Sequence, residues 1–420
     1  MSSMSNGFDV RGRELRAGEL AAWLSEHSLG NRFGLDVLGS TPNHDSEAVA
    51  LAIVAADGEG RYIEVSTLTP DDEAALSSWL ADLGPPKAVH DVKAAMHALA
   101  GRGWTLRGVT SDTMLAAHLL HPERRGPALN DLLMRHMRCA LPAAAAEPDR
   151  SDAGPPEALI LRTCAVLDLA DVLDEELARI DSSALLGRVA LPVQRVLAGM
   201  ERTGIAVDHA SLARGAAAMP PNSVAPDGRI HATFDQTGTV TGAVTSTDPD
   251  LRAVTREALV PGPGYAELMS AGYRELESRI IGQLSGGADD QADQAREAGY
   301  AATLLGRRRY LPDLNSRDPA ARQAAERDAL AMVVQGSAAD IVNTAMVDID
   351  EALTAMGLSS RLLLQVDQTL VFEVADGERD ALTEHVRECL AGSYSFDAPL
   401  DVSIGCGLTW AAADSGRLAR

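Results

Sequence analysis

A chain of 420 residues with 46% hydrophobic content is long enough for two or three domains, and it has no run of about eighteen apolar residues with which to cross a membrane. Sixty acidic residues against thirty-seven basic ones give a formal charge of −23, which excludes a surface basic throughout and leaves any phosphate contact to a local cluster. Four cysteines, Cys139, Cys164, Cys389 and Cys406, stand far apart without a CxxC pair, which argues against zinc or a disulfide framework and reads as buried free thiols in a reducing cytoplasm.

The first twenty residues lack the apolar centre of a signal peptide. Apolar runs broken by turns over 33 to 66 predict a small β-meander. "PDDEAALSSWLADLG" opens on proline and acids and closes on Gly84, which predicts a helix, and "AVHDVKAAMHALAGRG" predicts a second, closed by Gly101. Helical patterns run on to Met137. A loop rich in proline, alanine and acids covers 139 to 158, and a long helix follows from about 158 to 180. Residues 191 to 215 read as helix, Gly204, short strand, helix. The aperiodic "AAAMPPNSVAPDGRI" marks an architectural break.

After the break, "RIHATFDQTGTVTGAVTSTDPDL" reads as short strands and turns. In "ELMSAGYRELESRIIGQLSG", an apolar run leads to a small-residue corner, Ser270-Ala271-Gly272, and Leu276, Ile280 and Leu284 then share one helix face. A strand that delivers a corner residue to the mouth of a helix is a common way to present a catalytic group, yet Gly272 has no side chain. A long helix or a broken pair follows over 327 to 357, with Ile341, Ala345, Ile349 and Leu353 on one face and Gly357 at its end. "RLLLQVDQTLVFEV" predicts a hairpin turning at Asp367-Gln368. A capped helix over 376 to 392 and a strand in "LDVSIGCGLTW" complete the chain.

Six segments in order, among them "LPVQRVLAGMERTGIAVD", "DGRIHATFDQTGTVTGAVTSTDPDLRAV", "VVQGSAADIVNTAM" and "RLLLQVDQTLVFEV", make residues 191 to 420 resemble the polymerase domain of the family A DNA polymerases. Residues 1 to 185 more weakly resemble the 3′–5′ exonuclease domain that precedes it, notably at "SDTMLAAHLLHP". The resemblance implies an α/β (α+β) fold. A degenerate RNase H-like exonuclease-type domain (1–185) would lead through a residual thumb base and linker (186–220) to a truncated palm (221–420).

Polymerisation in that family rests on two carboxylates that hold two magnesium ions. The resemblance places them at Gly272 and Gln368, and neither residue is a good ligand for a hard cation. The fingers interval shrinks to "SGGADDQADQ", Ser285 to Gln294, and the thumb to "AAAMPPNSVAP". A primer-contacting arginine falls at Ala243, and an expected asparagine gives way to residues such as Ala331. The exonuclease motifs fall at Asp36-Val37-Leu38, Ala95 and Arg162, so one carboxylate of four remains.

Residues that match the family are Glu277, Arg279, Gln236, Asp248, Arg327, Gln335 and the run Arg307-Arg308-Arg309-Tyr310. Arg327 and Gln335 are expected near template and primer, and the arginine run with Tyr310 is either a phosphate contact or a set of internal salt bridges. Asp367, Glu277 and Glu373 are candidates for a repurposed acidic cluster. The expectation is a cytoplasmic pseudoenzyme that has lost both chemistries and binds nucleic acid or a nucleotide weakly. Alternatives are a metal-dependent nucleotide-processing enzyme using Mg2+ or Mn2+, or a module for a protein partner or self-association. No cofactor is expected otherwise, and no membrane.

Overall fold

The structure is a computed structural model, and it describes residues 8, 10–28, 31–124, 128–146, 155–214, 223–284, 287–397 and 399–418. The chain forms two compact units, Met1–Leu120 with Gly126–Ala198 and His121–Arg125 with Gly199–Arg420. The segment 186–220 therefore contributes to both.

The first unit is built on a six-stranded mixed sheet. Its strands are β1 (Arg11–Glu14), β2 (Phe33–Gly39), β3 (Ala48–Val54), β4 (Glu59–Glu64), β5 (Lys87–Val89) and β6 (Val109–Asp112), in the order β1-β4-β3-β2-β5-β6. The predicted meander is β2-β3-β4, antiparallel with Leu35 opposite Ile53 and Ala52 opposite Tyr62. Both β2 and β3 are buried along nearly their whole length, as central strands covered on two faces must be. The parallel strands β5 and β6 lie in stretches read as helical, because three or four residues carry no usable period.

Helices flank this sheet within the two predicted spans, the first ending at Ala81, short of Gly84, and the second on Gly101. Pro70–Ala81 starts at Thr69, whose hydroxyl accepts the Asp72 N–H, and Val92–Gly101 starts at Asp91, whose carboxylate accepts the Ala94 N–H. The long helix Pro156–Arg179 buries Leu159, Ile160, Cys164 and Leu167 against the sheet. It approaches closely at Gly34, where an added Cβ would lie 2.6 Å from the Thr163 carbonyl oxygen. That contact carries Arg162 over β2. The predicted loop 139–158 contains a short helix, Ala143–Ala146, and its stretch 147–154 lies outside the described residues. All four cysteines are free, but only Cys164 is buried.

The second unit carries a four-stranded antiparallel sheet of β7 (Tyr265–Tyr273), β8 (Arg361–Val366), β9 (Thr369–Ala375) and β10 (Val402–Gly407), in the order β8-β9-β7-β10. The predicted hairpin is β8-β9, with Val366 opposite Thr369. Ser270-Ala271-Gly272 is not a corner: these residues pair with Val371, Leu370 and Thr369 on one side and with Gly405, Ile404 and Ser403 on the other. The chain turns only at Arg274-Glu275, with Glu275 at φ +52°, before the helix Leu276–Gln283. Leu276 and Ile280 are buried as expected, and Leu284 lies just past the helix end, packed against a second core cluster.

One continuous helix spans Pro319–Met356 with a π turn at Met332–Gly336. By length and composition it could cross a membrane, but 78% of its most apolar window is buried inside the unit. Ile341, Ala345, Ile349 and Leu353 are all buried, and Gly357 at φ +65° ends it. The helix Gly287–Ala298 occupies the interval expected for fingers, and its Ala295 packs with Ala325 and Ala329. Of the expected thumb segment, 215–222 lie outside the described residues. A final helix, Trp410–Leu418, packs on β10 and β7 and was not anticipated.

Candidate functional site

The two positions expected to hold metal carboxylates lie side by side in the second unit. Gly272 is buried near the end of β7, and an added Cβ would stand 2.7 Å from the Gln368 carbonyl oxygen, 3.3 Å from Arg417 Nη1 and 3.5 Å from the Thr369 Cα. Two of these neighbours are backbone of the β8-β9 turn. The third is a guanidinium fixed by Asp414 and Ser403: Arg417 Nε donates to Asp414 Oδ1 at 3.0 Å and Nη1 to Ser403 Oγ at 3.3 Å. The same Asp414 oxygen accepts from Ser270 Oγ at 3.2 Å. A cation of the protein itself thus lies beside the position that an acid would need for a metal. Arg417 and Asp414 escaped sequence reading because the helix that carries them follows what reads as a terminal strand. The spacing Trp410, Ala413, Asp414, Arg417 is nonetheless one helix face.

Gln368 is half-buried, and its Nε2 donates to Glu277 Oε1 at 3.3 Å. Asp367 is exposed in the left-handed region at φ +52°. The Arg252 guanidinium, paired with Asp250 at 2.9 Å, also feels the Asp367 charge. Glu373 stands elsewhere. It is fully buried, and its Oε1 accepts from Arg229 Nη2 at 2.8 Å and the Gly262 N–H at 2.7 Å. Its Oε2 takes Arg361 Nε at 3.0 Å. Four residues of extended strand, about 13 Å, separate Glu373 from the turn. Asp367, Glu277 and Glu373 therefore do not gather into one acidic cluster. The residues present do not fit a two-metal site.

The arginine run divides by role. Arg307 is 1% exposed, and its Nε and Nη2 both donate to Asp340 Oδ1, at 2.9 and 2.8 Å. Asp340 Oδ2 accepts from Thr303 at 2.7 Å. Gly242 lies under the guanidinium with no room for a side chain. Arg307 is thus a buried structural ion pair and not a phosphate contact. Arg309 pairs with Asp328 at 2.6 Å. Arg308 stacks over the Tyr300 ring at 4.5 Å, and Tyr310 stands edge-on to the same ring at 5.7 Å. Among the described residues no carboxylate pairs with Arg308.

Arg279, Arg327 and Gln335 are exposed, whereas Gln236 is buried. Eight residues of plain α-helix would turn Gln335 about 80° past Arg327. The π turn holds one extra residue and takes up that rotation, so the two exposed side chains share a face. A segment of alternating burial at Ala243, near Thr239 and Asn343, carries no cation. Ala331 ends the regular helix just before the π turn.

In the first unit, Asp36, Leu38, Ala95 and Arg162 line one cavity of about 310 Å³ together with His90 and Asp91. Residues far apart in sequence are thus assembled as the exonuclease resemblance implied, but the donor set is wrong for metal. Arg162 Nε donates to Asp36 Oδ2 at 2.5 Å and its Nη1 to the Ala146 carbonyl at 3.0 Å. Asp36, the one carboxylate at the four positions the resemblance implies, is paired with a guanidinium. Burial, helped by Arg162, pushes His90 down to about 3, and its Nδ1 lies 2.7 Å from Thr113 Oγ1. Burial pushes Asp112 up to about 6, although its oxygens accept the N–H groups of Val92, Met114 and Leu115.

Residues 287–412 match the model of DNA polymerase family A, and residues 36–142 match that of the DNA polymerase I ribonuclease H-like domain. The DNA polymerase I of Mycobacterium tuberculosis is 38% identical over 593 aligned residues, which include 98% of this chain and 66% of that protein. The DNA polymerase I of Mycobacterium leprae is 36% identical over 597, with the same coverage. The chain spans 66% of the length of these relatives. Alignments longer than the 420 residues present mean that the relatives carry intervening segments this chain lacks. Among solved structures, the POL domain of Pol1 from M. smegmatis, in complex with DNA primer-template and dNTP, is 41% identical with a TM-score of 0.88, over 96% of this chain and 100% of that one.

Proposed function

The chain belongs to the family A DNA polymerases, of the DNA polymerase I type, and from that premise we propose that it binds nucleic acid without adding or removing nucleotides. The observation that carries this reading is the closed environment of Gly272, where backbone atoms of the adjoining turn fill the space a side chain would need. A backbone oxygen at 2.7 Å does not swing aside as a side-chain tip can, so no carboxylate can be restored there without moving the turn. The Asp36–Arg162 pair supports the same reading for the first unit.

What remains suits contact with a phosphate backbone. Arg308, Arg327 and Arg279 are cations without acidic partners among the described residues, and Tyr300 and Tyr310 offer ring faces beside Arg308. The solved relative's complex with primer-template and dNTP favours a primed duplex as the ligand. Against a net charge of −23, such binding is weak and steeply salt-dependent.

The test pairs two assays on one preparation. A fluorescent primed template should bind at low salt by anisotropy, and the same primer should stay unextended and undegraded with all four dNTPs and either Mg2+ or Mn2+. Metal-dependent extension by material free of host polymerase would end the proposal. Absence of DNA binding at low salt would leave the loss of chemistry standing but remove the ligand.

A further inference from the structure

His27, Asp57 and Glu59 lie in the first unit, and none of them lines the exonuclease-like cavity. One ligand atom from each falls within 4.8 Å of the others. His27 follows the helix Leu20–Glu26, Asp57 sits in the β3-β4 turn and Glu59 opens β4. The His27 side chain is 8% exposed, and its Nε2 points at Asp57 Oδ2, 3.4 Å away, and Glu59 Oε2, 3.3 Å away.

Each of the three groups has its other polar atom already held. His27 Nδ1 lies 2.8 Å from the Trp23 carbonyl oxygen, which can only accept, so Nδ1 carries a proton and Nε2 is the ring atom left to face the two carboxylates. Asp57 Oδ1 accepts the Glu59 N–H at 2.9 Å, and Glu59 Oε1 accepts from Arg61 at 2.7 Å. Three potential ligand atoms are thus aimed at one point by their surroundings, the arrangement that outer partners give to metal ligands.

Two kinds of cation could relieve that convergence, an imidazolium proton or a bound metal ion, and direct titration with metal separates them. Bonds of about 2.0–2.1 Å to a tetrahedral Zn2+ set neighbouring ligand atoms about 3.3–3.4 Å apart, which the separation of His27 Nε2 from each of the two oxygens accommodates. We propose that His27, Asp57 and Glu59 form a structural site for a tetrahedral transition-metal ion, Zn2+ by preference, that ties the end of the first helix to the β3-β4 turn. The imidazole disfavours Mg2+. With Asp57 and Glu59 side chains 55% and 37% exposed, a water molecule can complete the shell.

The experiment uses the full chain, stripped with chelator, then titrated with Zn2+ by calorimetry and with Co2+ by visible absorption. One ion per chain is expected, with the strong visible bands of four-coordinate Co2+ and a rise in Tm with Zn2+ but not with Mg2+. His27→Ala and the double variant Asp57→Asn/Glu59→Gln should each weaken Zn2+ binding at least about tenfold and abolish the Tm shift. The exposed double variant carries the test if His27→Ala fails to fold. No uptake of micromolar Zn2+ by the parent chain overturns the proposal, and so does equal uptake by the variants, which would place the ion elsewhere.

Discussion

The carbonyl oxygen of Gln368 lies 2.7 Å from where a β-carbon on Gly272 would stand, across the Gly272–Thr369 pairing of β7 with β9. Substitution at Gly272 is therefore a test of sterics before it is a test of chemistry. Gly272→Asp should lower stability by about 1–3 kcal/mol, the usual result of overfilling a packed site, read as a lower urea midpoint at unchanged slope. The double variant Gly272→Asp/Gln368→Asp should still fail to extend a primer. If the single variant is as stable as the parent, the turn is more compliant than its backbone contacts imply.

Arg307 and Arg308 are neighbours in sequence and opposites in role. Removing Asp340 strands a buried guanidinium, so Asp340→Ala should cost about 3–5 kcal/mol. Arg308→Ala touches a ring face and solvent and should change stability by less than about 0.5 kcal/mol. Thermal or urea unfolding of both variants settles the division, and comparable losses would contradict it.

Much of this fold is legible in the sequence. The β8-β9 hairpin announces itself as two apolar runs around a two-residue turn, and the long helix ends at Gly357 because its apolar period and its C-cap agree. Strands β5 and β6 are too short to show a period and owe their form to pairing with β2 and with each other. The three arginines in a row look equivalent in sequence. What buries Arg307 is Asp340, thirty-three positions away, and the bare backbone of Gly242. Neither is visible from local pattern. The positions expected to hold metal carboxylates are readable only through family resemblance. The guanidiniums of Arg162 and Arg417 beside them became visible only in three dimensions.

If Arg308, Arg327 and Arg279 contact phosphates, each removed contact should flatten the dependence of log affinity on log salt by about 1. Arg309, already paired with Asp328, should change the slope less. Anisotropy titrations of the single alanine variants at several salt concentrations give these slopes directly. A slope that stays constant across all of them would mean that DNA, if bound, is held by other residues.

Half-buried His90, in the cavity wall, and fully buried Asp112 give the stability of the first unit opposing pH terms. His90 is held down to about 3 from an ordinary 6.5, so its contribution is whole above 6.5 and is lost as pH falls toward 3. Asp112 is held up to about 6 from 3.8, so its contribution is whole below 3.8 and is lost as pH rises through 6. A shift of about two units corresponds to about 3 kcal/mol. Between pH 6 and 4 the Asp112 term therefore offsets part of the acid loss from His90. Asp112→Asn should remove that offset and make the loss of stability on acidification steeper, in addition to a uniform cost from an amide facing backbone N–H donors. Trp23, Trp79 and Trp104 lie in this unit and Trp410 in the other, so tryptophan fluorescence in a Trp410→Phe background follows this unit during urea unfolding. A slope between pH 6 and 4 equal to or shallower than that of the parent would show that Asp112 keeps its charge in the folded unit, and that the three N–H groups at its oxygens outweigh its burial.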